Sequence, residues 1–163
     1  MEKTHILSVL VENESGVLTR VAGLFSARGF NIDSICVAKT LEKNESKMII
    51  ATSGDAQILE QITKQLNRLV NVIKVQELTG EDSVTRETVL IKINADETTK
   101  GDIFRIKDIF GGRIIDMSRN SYTLEAIGSE GKIESLIDVL RPLGIKDIVK
   151  TGIIAIQRAK KSN

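Results

Sequence analysis

Asn13-Glu14-Ser15-Gly16-Val17-Leu18-Thr19-Arg20 follows directly on the apolar run Ile6 to Val11, and the change of pattern between the two marks a strand turning into a helix. His5 to Val11 is short, apolar and rich in β-branched residues, as in a strand covered on both faces. Beyond Gly16 the apolar residues Val17, Leu18, Val21, Leu24 and Phe25 recur at helical spacing, which predicts a helix over 16–28. Ser15 is the expected N-cap, its hydroxyl accepting from a backbone N–H of the first turn. Gly16 leaves the other N–H groups uncovered. A positively polarised helix start of this kind can receive a carboxylate, and the Asn13 amide lies just upstream. The residues alone leave two readings open, a capped helix that binds nothing and a turn that receives an anion.

Downstream, Gly29 stands where a left-handed C-terminal cap is wanted, and Phe30 then falls where it can pack back on Phe25 and aim Asn31 at the next strand. Residues 32–41 and 47–52 read as a hairpin around the polar loop Glu42-Lys43-Asn44-Glu45. Gly54-Asp55 opens a second helix. It carries Ile58, Leu59, Ile62, Leu66 and Leu69 on one face and the pair Glu60 and Lys64 on the other. Residues 71–78 return as a strand, completing β-α-β-β-α-β, the ferredoxin-like order.

The stretch Thr79 to Glu87 is polar apart from Val84 and reads as a linker, after which the pattern starts again. Residues 89–95 are strand-like, and Ile103, Ile106, Ile109 and Phe110 mark a helix stopped by Gly111-Gly112. A hairpin over 113–117 and 122–127 follows. Next comes a helix through Ile133, Leu136, Ile137 and Leu140, with Ser129 near its start and Pro142 past its end. Residues 145–156 are expected to close the unit as one strand with a bulge at Gly152. The expectation is an α+β protein of two tandem ferredoxin-like βαββαβ units, 1–79 and 88–163, joined by a linker at 80–87. Units of about 80 residues are marginal alone, and one helix layer covers only one sheet face, so oligomerisation and a cover for the second face are expected.

Composition narrows the function. Of 163 residues, 41% are hydrophobic and 28% charged, which is globular rather than disordered. A formal charge of +1 argues against a nucleic-acid binder, and the two central strands lack the aromatics on which RNA-binding ferredoxin-like modules stack bases. Cys36 is the only cysteine and His5 the only histidine, so intrachain disulfides and Cys/His metal clusters are excluded. Cys36 reads as an inert strand thiol and His5 as structural. Neither a nucleophile elbow nor a phosphate-binding glycine loop is present. Apolar runs stay far short of the ~20 residues of a membrane span, and Met1-Glu2-Lys3-Thr4 lacks the apolar core of a signal peptide, so the expected location is the cytoplasm.

Leu7 to Val21, then Gly23-Leu24-Phe25-Ser26-Ala27-Arg28-Gly29-Phe30-Asn31-Ile32-Asp33-Ser34, resemble the start of the small regulatory subunits of acetolactate synthase (acetohydroxyacid synthase). The resemblance continues through Leu59 to Val70, Arg141-Pro142-Leu143-Gly144-Ile145 and Thr151-Gly152-Ile153, with Lys47 standing where many members carry arginine. It implies that the first unit is an ACT domain, a non-catalytic amino-acid sensor that pairs side by side into a homodimer. Valine, the family's feedback inhibitor of branched-chain amino-acid (valine, leucine, isoleucine) biosynthesis, would sit between Asn13, Ser15, Gly16, Val17 and Leu18 of one copy and Asn31 and Ile32 of the other. The catalytic large subunit would be the partner and would hold the thiamine diphosphate, Mg2+ and FAD. This chain is expected to hold no cofactor, and its Gly-Asp pairs continue with Ala56 and Ile103 rather than with the glycine of a thiamine-diphosphate motif. A free-standing ACT sensor acting on another enzyme or on a transcription factor is the competing reading. Gly16→Asp is expected to abolish the valine response without unfolding the helix, provided Gly16 is not in a glycine-only conformation.

Overall fold

In the computed structural model, which describes residues 3–80 and 82–159, the first six elements are β1 (Lys3–Glu12), α1 (Val17–Ala27), β2 (Ser34–Lys39), β3 (Glu45–Gly54), α2 (Ala56–Leu66) and β4 (Val72–Glu77). They form an antiparallel sheet in the order β2-β3-β1-β4. The period-2 alternation of the two central strands sends Leu7, Val9 and Val11 of β1 and Met48 and Ile50 of β3 to one face. There they meet Val17, Val21 and Phe25 of α1 and Ile62 and Leu66 of α2, all buried. Each such side chain contributes about 1.5–3 kcal/mol by leaving water, and this is the main force holding the helices on the sheet.

The helix ends follow from single residues. Gly29 takes φ 69°. That lets Gly29 N–H donate to the Ser26 carbonyl at 3.2 Å and Phe30 N–H to the Phe25 carbonyl at 3.0 Å, which satisfies carbonyls the helix would otherwise leave unpaired. Phe30 packs back on the same core as Phe25, as its position suggested. At the start of α2 the Asp55 carboxylate accepts from Ile58 N–H at 2.8 Å, and Lys64 Nζ lies 2.5 Å from Glu60 on the solvent face.

The second set comprises β5 (Ser83–Asn94), α3 (Lys100–Ile109), β6 (Arg113–Met117), β7 (Ser121–Gly128), α4 (Glu130–Leu140), a 3-10 turn at Arg141–Leu143, β8 (Ile145–Lys150) and β9 (Ile154–Gln157). The order β6-β7-β5-β8 repeats the first sheet's topology, and β9 pairs with β5. Val89, Ile91 and Ile93 face Leu124, Ile103, Ile133, Leu136 and Leu140 in a separate core. Gly111 ends α3 as Gly29 ends α1, with φ 62° and Gly112 N–H donating to the Lys107 carbonyl at 2.8 Å. Asp96 opens α3. Its carboxylate accepts from the Thr98 hydroxyl at 2.6 Å and from Thr98 and Thr99 N–H at 2.8 and 2.9 Å, and these donors, the Thr98 hydroxyl first, hold its carboxyl below the usual range. The fold is thus α+β, two tandem βαββαβ units as the sequence pattern indicates.

The boundaries fall differently from the expectation. By contacts the described chain divides into 3–84 with 153–159, and 85–152. Ser83 to Glu87 is not an exposed linker but the start of β5, with Ser83 and Glu87 buried. Their polarity hid this. Ser83 donates to the carbonyls of Leu78 at 2.5 Å and Gly80 at 3.1 Å, and Lys150 Nζ stands 3.2 Å from the Glu87 carboxylate. Residues 145–156 are not one bulged strand either. The chain breaks after Lys150, Gly152 takes φ 79°, and β9 runs on separately. Ile153, 7% exposed, packs with Ile6, Ile49, Ala51 and Leu78 on the face of the first sheet away from its helices. Part of the cover that face requires therefore comes from this chain's own last segment.

Candidate functional site

The turn between β1 and α1 is built differently from a side-chain cap. Gly16, not Ser15, is the N-cap, with φ 87° and ψ −8°, and no side chain caps the helix. A left-handed residue turns the chain into the helix at this point, and glycine takes that conformation without a Cβ clash. The helix starts at Val17, one residue later than expected. Among the described residues the backbone N–H groups of Gly16, Leu18 and Thr19 find no acceptor in the chain. A Cβ built on Gly16 would meet nothing within 4 Å, so the space before these donors is open. The left-handed φ also corrects the expectation for Gly16→Asp. That substitution strains the backbone wherever its side chain points, so a loss of binding in it would not report the carboxylate alone.

Residues at the start of β3 and just before β4 brace the turn. Asn13 N–H donates to the Asn44 carbonyl at 2.7 Å, and Ser46 Oγ donates to Asn13 Oδ1 at 3.1 Å. Buried Asn71, just before β4, donates through Nδ2 to Glu12 Oε2 at 2.8 Å and to Glu14 Oε2 at 3.3 Å, while its Oδ1 accepts from Arg20. Its carbonyl takes Glu12 N–H at 2.9 Å. Neither Ser46 nor Asn71 was among the residues singled out from the sequence. They stand 33 and 51 or more residues from their partners, and no local pattern links them.

Of the seven residues singled out, the structure brings Asn13, Ser15, Gly16, Val17 and Leu18 together at the start of α1. Val17 is 3% exposed and belongs to the core, whereas Leu18 is 47% exposed and offers its side chain outward. Asn31 and Ile32 lie beyond the other end of that helix. Its 11 residues put about 16 Å between the two places, so one copy does not join them. Asn31 Nδ2 donates to Asp33 Oδ1 at 2.6 Å, its carbonyl accepts from Thr52 Oγ1 at 2.6 Å, and Ser53 Oγ donates to Asp33 Oδ2 at 2.6 Å. These bonds fix the entry to β2 and leave Asn31 Oδ1 as an acceptor. β2 stands at the edge of its sheet.

Other features carry less chemistry. A groove of about 410 Å3 on the far side of β2 is lined by Cys36, Val37, Leu41, Ile49, Ile154 and Ala155. His5 is buried with Nδ1 3.3 Å from Glu77 Oε1. Among the described residues no three His, Cys, Asp or Glu side chains converge as metal ligands, and no helix is long and apolar enough to cross a membrane.

The fold defines an α+β protein of two tandem βαββαβ units. Residues 7–74 match the model of the AHAS small subunit-like ACT domain, and residues 86–159 match that of the small subunit of acetolactate synthase. The chain is 48% identical to the acetolactate synthase small subunit of Mycolicibacterium smegmatis, over 97% of this chain and 93% of that one. It is 46% identical to a probable acetolactate synthase small subunit of Archaeoglobus fulgidus, over 96% and 98%. The crystal structure of the small subunit from Thermotoga maritima superposes with a TM-score of 0.90 at 41% identity, covering 97% of this chain and 99% of that one. The chain belongs to the acetolactate synthase small-subunit family.

Proposed function

We propose that this chain is the regulatory, non-catalytic small subunit of an acetolactate synthase, that it stimulates the catalytic large subunit, and that it confers feedback inhibition by valine. Near full-length similarity to proteins named as such small subunits supports the first part. The observation that carries the effector part is a single turn where, among the described residues, the N–H groups of Gly16, Leu18 and Thr19 and the Nδ2 of Asn13 just upstream find no acceptor. Such a turn suits a carboxylate. Exposed Leu18 offers an aliphatic wall, while buried Val17 contributes only backbone. The acceptor Oδ1 of Asn31 suits an ammonium, and its distance from the turn within one copy requires that it come from a second copy, paired along the β2 edge.

The thiamine diphosphate, Mg2+ and FAD chemistry then belongs to the large subunit, in the cytoplasm, and this chain shifts its activity by binding. Selectivity among valine, leucine and isoleucine should be modest, since one methylene is worth only about 1–3 kcal/mol. The test is an acetolactate synthase assay of the reconstituted pair across a valine series. Stimulation that falls as valine rises, and that no longer falls with Asn13→Ala, is expected. Catalysis indifferent to added small subunit overturns the proposal.

A further inference from the structure

We propose that Ser46 is a positioning residue for effector recognition, locking the Asn13 amide with its donor outward so that the turn accepts a carboxylate and rejects an ammonium. This rests on the reading of the turn as the effector site. An asparagine amide turned by 180° exchanges a donor for an acceptor, and a carboxylate facing Oδ1 would be repelled where one facing Nδ2 is bound. Something must choose between the two. Ser46 lies on the helix face of β3, opposite Val11 of β1, and is 6% exposed. Among the described residues its hydroxyl has one partner, Asn13 Oδ1, at 3.1 Å.

A flipped amide would present Nδ2 to that hydroxyl. Ser46 could then only accept, and its own proton would be left buried without an acceptor, an outcome that proteins avoid because it costs a full desolvation. Asn13 N–H, which donates to the Asn44 carbonyl at 2.7 Å, is itself a donor and cannot take that proton. The buried serine therefore sets the polarity of an exposed amide that itself contacts the ligand. Asn71 braces the same turn from the other side but touches Glu12, Glu14 and Arg20 rather than the Asn13 amide, so it holds position without choosing orientation.

The experiment is calorimetric titration of L-valine into the full chain and its Ser46→Ala, Asn13→Ala and double variants, with Ser46→Thr as the hydroxyl-retaining control. Ser46→Ala is expected to raise the Kd about fivefold, the effect of one hydrogen bond. Asn13→Ala should raise it at least as much, the double variant no further than Asn13→Ala alone, and Ser46→Thr should stay near wild type. A folded Ser46→Ala protein with wild-type affinity overturns the proposal, as does a double variant whose loss is the product of the two single losses. In the wild type, the side-chain NH2 resonances of Asn13 should shift on adding valine. Their indifference refutes the outward donor even if Ser46→Ala does not fold. If Asn13→Ala binds valine normally, or the wild type binds none, the effector reading falls and this proposal with it. If Asn13→Ala weakens binding and Ser46→Ala does not, the role of Ser46 falls alone.

Discussion

Replacing Asn71 by alanine removes a brace whose cost can be worked from its contacts. The side chain is 7% exposed and makes three hydrogen bonds, all to charged partners: donations to Glu12 at 2.8 Å and Glu14 at 3.3 Å, and acceptance from Arg20. A hydrogen bond to a charged group is worth about 1.5–3 kcal/mol where neither side recovers water. Glu14 and Arg20 are exposed and recover most of it, whereas half-buried Glu12 does not. Counting the Glu12 bond in full and the others at a fraction gives a loss of about 2–3 kcal/mol for Asn71→Ala. The backbone bond from Glu12 N–H to the Asn71 carbonyl survives, so the strand should keep its place while the turn loosens. Urea unfolding followed by far-UV circular dichroism measures the loss. Asn67→Ala is the control, since exposed Asn67 donates only to the Thr63 carbonyl at 2.9 Å and its removal should cost under about 1 kcal/mol. An Asn71→Ala protein within about 0.5 kcal/mol of wild type would show that these bonds do not hold the turn.

Gly16→Ala should cost about 1–2 kcal/mol although nothing surrounds its Cβ, because φ 87° penalises any side chain, and Gly16→Asn should cost less; thermal melts of the pair check the order. Ile153→Ala should cost about 2 kcal/mol or more, because Ile153 covers Ile6, Ile49, Ala51 and Leu78, and a loss under about 0.5 kcal/mol would mean that face does not depend on the last segment.

Much of the fold was legible because it depends on apolar periodicity and glycine. Val17, Val21 and Phe25 had to share a helix face, and Gly29 and Gly111 both end helices by the same left-handed turn. Where polar residues are buried, periodicity fails. Ser83 and Glu87 read as linker because their partners, the Leu78 carbonyl and Lys150, are not visible from composition. The break between β8 and β9 was read as a bulge, since a positive-φ glycine serves either purpose and only pairing with β5 decides. At the candidate site, the turn and its open glycine were readable from one octapeptide. The left-handed entry that displaces Ser15 as cap is a backbone choice that a serine and a glycine in sequence leave undecided. Ser46 comes from β3 and Asn71 from just before β4, and both were out of reach of any local pattern.

The central claim is that valine is held between two copies, joining the start of α1 in one to the start of β2 in the other. Sedimentation velocity of the purified chain over a concentration series, with and without saturating L-valine, tests it most directly. Such a two-fold dimer holds two equivalent sites, and a ligand that binds only the assembled form stabilises it by about 2.7 kcal/mol per site at a hundredfold excess over its Kd, so valine should lower the dimer dissociation constant by roughly ten-thousandfold. A chain that binds valine yet sediments as a monomer with and without it would contradict the shared site.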